Sequence, residues 1–314
     1  MKILIVASGN HANIAPFVKE QMEALQKDGH IVFPFTVNGH GPLGYLSNLW
    51  PLKVTIRKFE PDIIHAHYGL CGLFSTLQHQ VPVVVTYHGS DINSRCIRPL
   101  SRLAMRRAAY NIFVSETLQK LALHSSNQTI KQSNNQTVLP CGVDLDRFAP
   151  IPREDARKKL GLLPEGHYVL FSGAFDNEIK NAPLAQASCA LLPDTTLLEL
   201  RNRSREEVAL LMNAADVLLV TSRHEGSPQV VKEALACNLP VVSTDVGDIA
   251  TLLSSTQGGS IAEATPQTLA TAMAPFLDVP HRTQAREKMG PYSNTHIASQ
   301  LCTIYNQNIT HNRS

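Results

Sequence analysis

Long hydrophobic runs, paired cysteines and a dominant charge are all missing from this chain of 314 residues. No apolar stretch approaches the roughly 20 residues of a membrane-spanning helix, so an integral membrane protein is not expected. The six cysteines include no C-x-x-C pair, which predicts reduced thiols rather than a disulfide framework or a zinc site. A net charge of +2 gives no support to nucleic-acid binding. These absences predict a cytoplasmic protein.

A glycine motif for dinucleotides is missing after the first predicted strand. The apolar run 2–7 is followed soon after by the single glycine Gly9 and by Asn10, and no G-x-G-x-x-G fingerprint stands there. A Rossmann-type dehydrogenase is therefore disfavoured. Chemistry alone leaves this segment equally compatible with a tight turn and with a ligand-binding loop.

What the sequence does contain is a regular alternation of short apolar runs and segments with helical spacing. Such alternation is typical of βαβ units, and it predicts an α/β fold with parallel sheets covered on both faces. The length predicts two domains. The predicted strands are 2–7, 31–35, 62–66, 83–87, 111–114, 137–139, 168–172, 196–200, 217–221, 240–243 and 258–261. The main predicted helices are 14–27, 205–213, 229–236, 266–277 and 292–306.

The most informative segment follows the strand 217–221 and contains Glu225 and Glu233. The residues between them that would form the start of a helix are Gly226, Ser227, Pro228, Gln229 and Val230. The glycine permits close approach of a ligand, the serine suits an N-cap, and the proline suits the first helical position. The backbone N–H groups of the last two would then bind an anion. A carboxylate beside an anion site predicts a ligand with hydroxyls and phosphate, such as a nucleotide sugar. The alternative is an ordinary capped helix in which Glu233 is merely solvated.

The run from Glu225 to Glu233, continued by 236–248, resembles the signature of retaining family-4 glycosyltransferases, and within that family the capsule and teichuronic-acid type. The resemblance implies the GT-B fold, in which two Rossmann-like parallel-sheet domains face each other across a cleft. It implies an acceptor domain at 1–150, a nucleotide-sugar domain at 151–290, and a helix at 291–314 that crosses back to the first domain.

Residue roles follow from the same resemblance. Lys180, which lies beyond Gly173 and the strand 168–172, would contact the donor diphosphate. Glu225 would contact the transferred sugar, and Glu233 would accept hydrogen bonds from the ribose hydroxyls. The family has an arginine directly after the glycine, whereas this chain has Ala174. Arg223, two residues before Glu225, could substitute for that missing cation.

The first half contributes further candidates. His88 follows the strand 83–87 and, by resemblance, would lie near the sugar that is transferred, so the predicted catalytic residues are His88, Lys180 and Glu225. Gly9 is predicted on the donor side and Asn10 on the acceptor side. His65 and His67 share one strand face. An H-x-H pattern can bind metal, but no companion cluster has convincing spacing, so an acceptor-contacting wall is the preferred interpretation.

A basic stripe is predicted from arginines at three- and four-residue spacing, which places them on one side of a helix. It could contact an anionic membrane or the phosphate of a lipid-linked acceptor, or it could be a solvated charged face. Its members are Arg95, Arg98, Arg102 and Arg106. Peripheral contact with the inner face of a membrane therefore remains open.

The resemblance implies an enzyme that moves a hexose, with retention of configuration, from a UDP-sugar or GDP-sugar to a saccharide or lipid-linked saccharide. No metal and no other cofactor is expected. One alternative is an epimerase of the same fold, and another is a non-catalytic nucleotide-sugar-binding protein, for which Ala174 is the supporting feature.

Overall fold

The computed structural model of this protein describes residues 1–9, 14–39, 41–124 and 135–311, with no description of the side chains of 41–43 and 311. Asn10 lies outside these residues. The chain divides into two compact units, of which the first comprises Met1–Gly142 and Asn294–Ser314 and the second comprises Val143–Ser293. The sequence had placed these boundaries near 150 and 290, so the first lies eight residues earlier than predicted.

The first unit contains a six-stranded sheet in the order β2-β1-β3-β4-β5-β6, and its strand pairs are parallel. The strands are β1 (Lys2–Ser8), β2 (Ile31–Val37), β3 (Ile63–His67), β4 (Val83–Tyr87), β5 (Tyr110–Phe113) and β6 (Gln136–Val138). The helices are α1 (Pro16–Lys27), α2 (Gly41–Leu46), α3 (Leu49–Phe59), α4 (Gly69–Ser75), α5 (Ser90–Asn93), α6 (Arg98–Arg107) and α7 (Glu116–Leu123). The central strands β3 and β4 are buried throughout, as the apolar sequence runs predict.

The second unit contains a five-stranded parallel sheet in the order β11-β10-β9-β7-β8. The strands are β7 (His167–Phe171), β8 (Thr195–Leu198), β9 (Val217–Val220), β10 (Val241–Ser243) and β11 (Gly259–Ile261). The α-helices are α8 (Arg153–Leu160), α9 (Ala182–Cys189), α10 (Arg205–Ala214), α11 (Gln229–Ala236), α12 (Ile249–Thr256) and α13 (Pro266–Asp278), and short 3-10 turns occur at Glu178–Lys180, Ala285–Lys288 and Gly290–Tyr292.

The last helix, α14 (Asn294–His311), packs against the first unit. Its buried residues Ile297, Leu301 and Tyr305 share a core with the strand residues Ile3 and Ile5. The apolar spacing of this helix therefore explains why the chain returns to its first unit. Among the helices of the described residues, none has the length and hydropathy needed to cross a bilayer.

Two histidines form part of the core of the first unit. His65 and His67 are both 0 % exposed, and their rings stack with centroids 4.5 Å apart. His65 Nδ1 lies 2.6 Å from the Tyr305 hydroxyl, and Nε2 lies 2.7 Å from the hydroxyl of Thr86. Their common strand face was predicted correctly. Their interpretation as an acceptor-contacting wall is inconsistent with this burial, because neither ring reaches the surface.

Burial makes the charged form of both rings unfavourable. It lowers the pKa of His67 to about 3, and it lowers the pKa of His65 well below its usual value, with the neighbouring His67 and His88 adding to that shift. In the unfolded chain both rings would titrate near about 6.5. The unfolded state therefore binds more protons in the window below that value, and stability falls as the pH falls.

We therefore expect the first unit to lose stability between about pH 6 and pH 4 with a contribution from each ring of about 1.4 kcal/mol per pH unit. A His67→Phe variant keeps an aromatic ring in the stack but removes one of these contributions, so its free energy of unfolding should depend less steeply on pH. Urea unfolding, with amide exchange in β3 to localise it to this unit, measures the slope.

The matched control is His79→Gln, because His79 is exposed. This variant should keep the wild-type slope. Equal slopes in the wild type and in His67→Phe would contradict the burial of a neutral His67.

Candidate functional site

The predicted donor-binding residues of the second unit follow β7 and β9, which are neighbours in the sheet although β8 separates them in sequence. From β7 the chain continues to β8, toward one edge of the sheet, and from β9 it continues to β10, toward the opposite edge. In open parallel sheets a ligand binds at this switch point, beyond the carboxyl ends of the strands. The register pairs Phe171 with Leu219, so the segments after both strands begin at the same edge.

Two of the predicted site residues form an ion pair at this edge. Lys180 Nζ lies 2.6 Å from Glu225 Oε1, and the side chains are 18 % and 14 % exposed. The stem of Lys180 crosses Gly173, where an added Cβ would lie 2.9 Å from Lys180 Cγ. The Thr221 hydroxyl donates to the carbonyl of Lys180 at 2.8 Å, which fixes the turn to the end of β9. The structure therefore brings Gly173, Lys180 and Glu225 together.

The start of α11 differs from the prediction. The helix begins at Gln229 with Pro228 as its N-cap residue, and no side chain caps it. Ser227 is therefore not the N-cap, and Pro228 lies one position before the first helical residue. The reason is that proline takes an extended conformation here, with φ −67° and ψ 121°, so the turn of the helix starts after it. Gly226 and Pro228 are buried, and Gln229 and Val230 are partly buried.

Glu233 lies in the interior on α11. It is 3 % exposed, and its Oε1 lies 2.6 Å from a guanidinium nitrogen of Arg205. That guanidinium also stacks over the Phe148 ring at 4.8 Å. The alternative of a solvated Glu233 is therefore wrong. Sequence reasoning missed Arg205, because the helix predicted at 205–213 carried no information about a partner 28 residues away.

The loop after β10 also belongs to this region and was missed. Gly247 has φ 63°, and a Cβ there would lie 2.9 Å from the carbonyl oxygen of Gly226 and 3.1 Å from Glu225 Cβ. Only glycine combines this left-handed conformation with so close an approach. Burial raises the pKa of the adjacent Asp248 carboxyl, while the Ser227 hydroxyl and the charge of Lys232 oppose that shift.

Arg223 is exposed, and its backbone N–H donates to the carbonyl of Ile179 at 2.9 Å. Its side chain lines a cavity of about 540 Å³ together with Phe175, Asn177 and His224. This places Arg223 beside the turn that carries Lys180. Whether it replaces the arginine expected at Ala174 stays a prediction.

In the first unit, His88 directly follows β4 and is partly buried. Its Nε2 lies 3.0 Å from His67 Nδ1, and its Nδ1 lies 3.6 Å from the Cys141 sulfur. The His67 and His88 rings stack with centroids 5.2 Å apart. Contacts at both ring nitrogens hold His88 in one orientation, and they connect it to the buried histidines of β3.

Asp91 fixes the loops after β3 and β4. It is 3 % exposed, and its carboxylate accepts hydrogen bonds from the backbone N–H groups of Gly69 at 3.0 Å, Gly89 at 2.9 Å and His88 at 3.2 Å. Burial raises the pKa of this carboxyl, and the three N–H groups oppose the shift. The carboxylate thereby joins two strand ends and sets the position of the His88 backbone.

Tyr68, directly after β3, adopts φ 71° and ψ 148°, a conformation that non-glycine residues rarely adopt. Its ring centroid lies 4.7 Å from that of His88. Tyr68 lines a cavity of about 650 Å³ at the carboxyl ends of the strands, with Ser8, Tyr45, Leu70 and Ile97 among the other lining residues. Strained backbone of this kind is concentrated at functional sites.

Gly9 lies at a closely packed position at the end of β1. An added Cβ would lie 2.2 Å from Asn38 Oδ1, so no larger residue fits there without movement. Its N–H donates to the carbonyl of Val37 at 2.9 Å, which joins the ends of β1 and β2. Its contact with a donor stays a prediction, and Asn10 lies outside the described residues.

The basic stripe is only partly a free surface. Arg98 donates to the carbonyls of Ile92 and Asn93 at 2.5 and 3.2 Å, and Arg102 donates to the carbonyl of Ala122 at 3.1 Å and to that of His124. These carbonyls lie at the C-terminal ends of α5 and α7, where unsatisfied C=O groups favour a cation. Arg95 and Arg106 are exposed. Two of the four arginines therefore have an intramolecular role that spacing did not predict.

Two protein-family models match the chain. The model described as Glycosyltransferase Family 4 matches residues 14–147, and the model described as Glycosyl transferases group 1 matches residues 176–278. The first match includes His88, and the second includes Lys180, Glu225 and Glu233.

Curated relatives agree with these matches. The chain is 29 % identical over 248 residues to TuaC of Bacillus subtilis, a glycosyltransferase assigned to teichuronic acid biosynthesis, covering 70 % of this chain and 62 % of TuaC. It is 28 % identical over 272 residues to D-inositol 3-phosphate glycosyltransferase 2 of Catenulispora acidiphila, covering 70 % of this chain and 64 % of the relative. The chain thus spans somewhat less than two thirds of the length of these relatives.

Solved structures show the same fold. Sucrose-phosphate synthase from Thermosynechococcus elongatus has a TM-score of 0.84 at 20 % identity and covers 99 % of this chain and 100 % of its own. Anabaena HepE in complex with UDP has a TM-score of 0.76 at 19 % identity and covers 98 % of this chain and 100 % of its own. The predicted α/β fold of GT-B type, with two Rossmann-like parallel-sheet domains, is confirmed. Residues 14–147 are thus similar to Glycosyltransferase Family 4, and residues 176–278 are similar to Glycosyl transferases group 1.

Proposed function

We propose that this protein transfers a hexose from a UDP-sugar to a saccharide or lipid-linked saccharide, with retention of configuration at the sugar. The observation that carries the proposal is the pair of Lys180 and Glu225 at the switch point of the second sheet, 2.6 Å apart. Lys180 would provide a cation for the diphosphate, and the adjacent Glu225 would provide a carboxylate for the sugar hydroxyls. The HepE complex with UDP, in the same fold, supports a uridine nucleotide as donor.

Lys180 can bind the diphosphate while it keeps its ion pair with Glu225. Its ammonium has three N–H donors, so one can stay with the carboxylate while the others donate to phosphate oxygens. The start of α11 adds a further partial positive charge, about half a unit, next to Gly226. Together these groups would stabilise the departing nucleoside diphosphate where the family arginine is replaced by Ala174.

Glu233 is proposed to bind the ribose hydroxyls. A carboxylate has two acceptor oxygens, which suits a pair of neighbouring hydroxyls. Arg205 contacts Oε1 at 2.6 Å and is itself held over Phe148, so it would hold Glu233 in one orientation. Arg205 is thus a positioning residue for the ribose contact rather than a donor-binding group in its own right.

The transfer step is proposed to need no metal and no dedicated base. The departing phosphate would accept the proton of the attacking acceptor hydroxyl, and the protein would supply orientation and charge stabilisation. His88 is proposed to contact the transferred sugar from the first unit. Its restraint by His67 and its backbone contact with Asp91, at 3.0 and 3.2 Å, suit a positioning role.

The cavity of about 650 Å³ in the first unit is proposed to hold the acceptor. Tyr45 and Tyr68 offer aromatic faces for a sugar ring, and the serine and tyrosine hydroxyls offer hydrogen bonds. The names of the relatives point to a glycan or an inositol phosphate as acceptor for those proteins. For a lipid-linked acceptor, α6 offers exposed Leu100 and Leu103, 42 % and 41 % exposed, with exposed Arg106 nearby, which suits contact with an anionic membrane surface.

Nucleotide binding is tested first with a thermal-shift panel of UDP, GDP and their sugars. Uridine nucleotides should raise the melting temperature of the second unit, since a ligand at a hundredfold excess over its Kd stabilises by about 2.7 kcal/mol. Glu233→Gln should reduce the rise in melting temperature that UDP causes. Glu225→Gln should not change the rise caused by UDP, but it should reduce the additional rise that a UDP-sugar causes over UDP alone.

The matched control is Glu206→Gln, because Glu206 is next to Arg205 in sequence and its side chain is 71 % exposed. It should behave as wild type. If no nucleotide changes the melting temperature, the proposal is wrong. If UDP and GDP raise the melting temperature equally, only the proposed preference for uridine is wrong.

Turnover is tested with Lys180→Ala. Losing one well-placed electrostatic group typically costs on the order of 10²–10³ in rate, and we expect kcat to fall on that scale. Lys159→Ala, an exposed lysine of α8, is the control. Sugar transfer is measured by release of the nucleoside diphosphate in the presence of an acceptor. Near-normal kcat in Lys180→Ala would remove Lys180 from the mechanism.

A reaction with donor alone separates the alternatives. An epimerase would convert the donor sugar to an isomer without any acceptor, and a binding protein would bind UDP without consuming the donor. Transfer that requires an acceptor supports the glycosyltransferase.

A further inference from the structure

A cluster of three metal-ligating side chains lies in the first unit, away from the residues discussed above. Asp28 follows α1, His30 directly precedes β2, and Cys302 lies on α14. Because the strands are parallel, the amino end of β2 lies at the edge of the sheet opposite to the carboxyl ends that carry His88 and the cavity. This cluster is therefore separate from the proposed acceptor site, and the donor residues belong to the other unit.

The three donor atoms form a compact triangle. His30 Nε2 lies 3.0 Å from Cys302 Sγ and 3.3 Å from Asp28 Oδ2, and Cys302 Sγ lies 3.6 Å from the same carboxylate oxygen. Zinc bonds of about 2.0–2.3 Å in tetrahedral geometry require donor separations of about 3.3–3.6 Å. Two of the three edges already match that requirement, and the sulfur–nitrogen edge needs to open by about half an ångström.

We propose that Asp28, His30 and Cys302 bind a zinc ion, with water as the fourth ligand. Thiolate, imidazole and carboxylate form a donor set that suits Zn²⁺ and not Mg²⁺ or Ca²⁺, which prefer oxygen ligands alone. On binding, the sulfur, Nε2 and Oδ2 each donate a lone pair, the thiol proton leaves to solvent, and the imidazole keeps its proton on Nδ1. One thiolate and one carboxylate then balance the charge of the ion.

The exposure of the ligands favours the same conclusion. The Asp28 side chain is 55 % exposed and that of His30 is 17 % exposed, so an ion can enter and a water molecule can complete the coordination.

The ion would fasten α14 to the rest of the first unit. Cys302 is 274 residues from Asp28 in sequence, so the bond would join the C-terminal helix to the α1–β2 turn. The same helix carries Tyr305, whose hydroxyl lies 2.6 Å from His65. The role assigned to the metal is therefore structural and independent of the proposed transfer step.

The test uses the full chain, stripped of metal by chelation, and Co²⁺ as the probe. Wild-type protein should show thiolate-to-cobalt absorption in the ultraviolet and the intense visible bands of tetrahedral Co²⁺, saturating at a single equivalent. Added Zn²⁺ should abolish both. Cys302→Ser should lose the thiolate band, and Asp28→Asn should weaken binding. The control Cys96→Ser, which removes an exposed cysteine of the same unit, should keep the wild-type spectrum.

Thermal unfolding provides the second readout. Zn²⁺ should raise the melting temperature of the wild type and of Cys96→Ser, and leave that of Cys302→Ser unchanged. Only the weak bands of octahedral Co²⁺, or the same thiolate band in wild type and in Cys302→Ser, would overturn the proposal. Circular dichroism before the titrations verifies that each variant is folded, and Asp28→Asn keeps the test decisive should Cys302→Ser not fold.

Discussion

The alignment of parallel strand ends is the constraint on which the candidate site depends. In the second unit, β7 and β9 are adjacent strands, and their register pairs Val169 with Val217. This register places the carboxyl ends of the two strands next to each other. The turn with Lys180 and the loop with Glu225 therefore start from one edge, although 45 residues separate them in sequence. A shift of one strand by a single residue would move every side chain to the opposite face and dissolve the site.

Two ion pairs explain why the carboxylates of the candidate site do not destabilise the second unit when no ligand is bound. Two carboxylates close to the start of α11 would disfavour folding if both were unpaired in a low-dielectric environment. Lys180 compensates Glu225, and Arg205 compensates Glu233, with 2.6 Å in each case. The two ion pairs therefore hold both carboxylates in fixed orientations before any ligand is considered.

Sequence reasoning located the elements because their signals are local. Apolar runs identified the strands, and the glutamates, Gly173 and Lys180 were found through spacing and resemblance. It failed where a contact joins distant segments. Arg205 with Glu233, Gly247 against Gly226 and the carbonyl contacts of Arg102 all depend on tertiary packing that no window of sequence contains. The burial of His65 was missed for the same reason, since Tyr305 of α14 packs against its ring from the far end of the chain.

The histidines connect the C-terminal helix with the candidate catalytic residue through direct contacts. Tyr305 on α14 contacts His65, the His65 ring stacks on His67, and His67 Nδ1 lies 3.0 Å from His88 Nε2. Buried polar groups need their partners, so a displacement of α14 would leave His65 without the tyrosine hydroxyl and would loosen the stack that orients His88. A helix that returns from the end of the chain thus completes the first unit, because the orientation of His88 depends on a core that the first 142 residues do not supply alone.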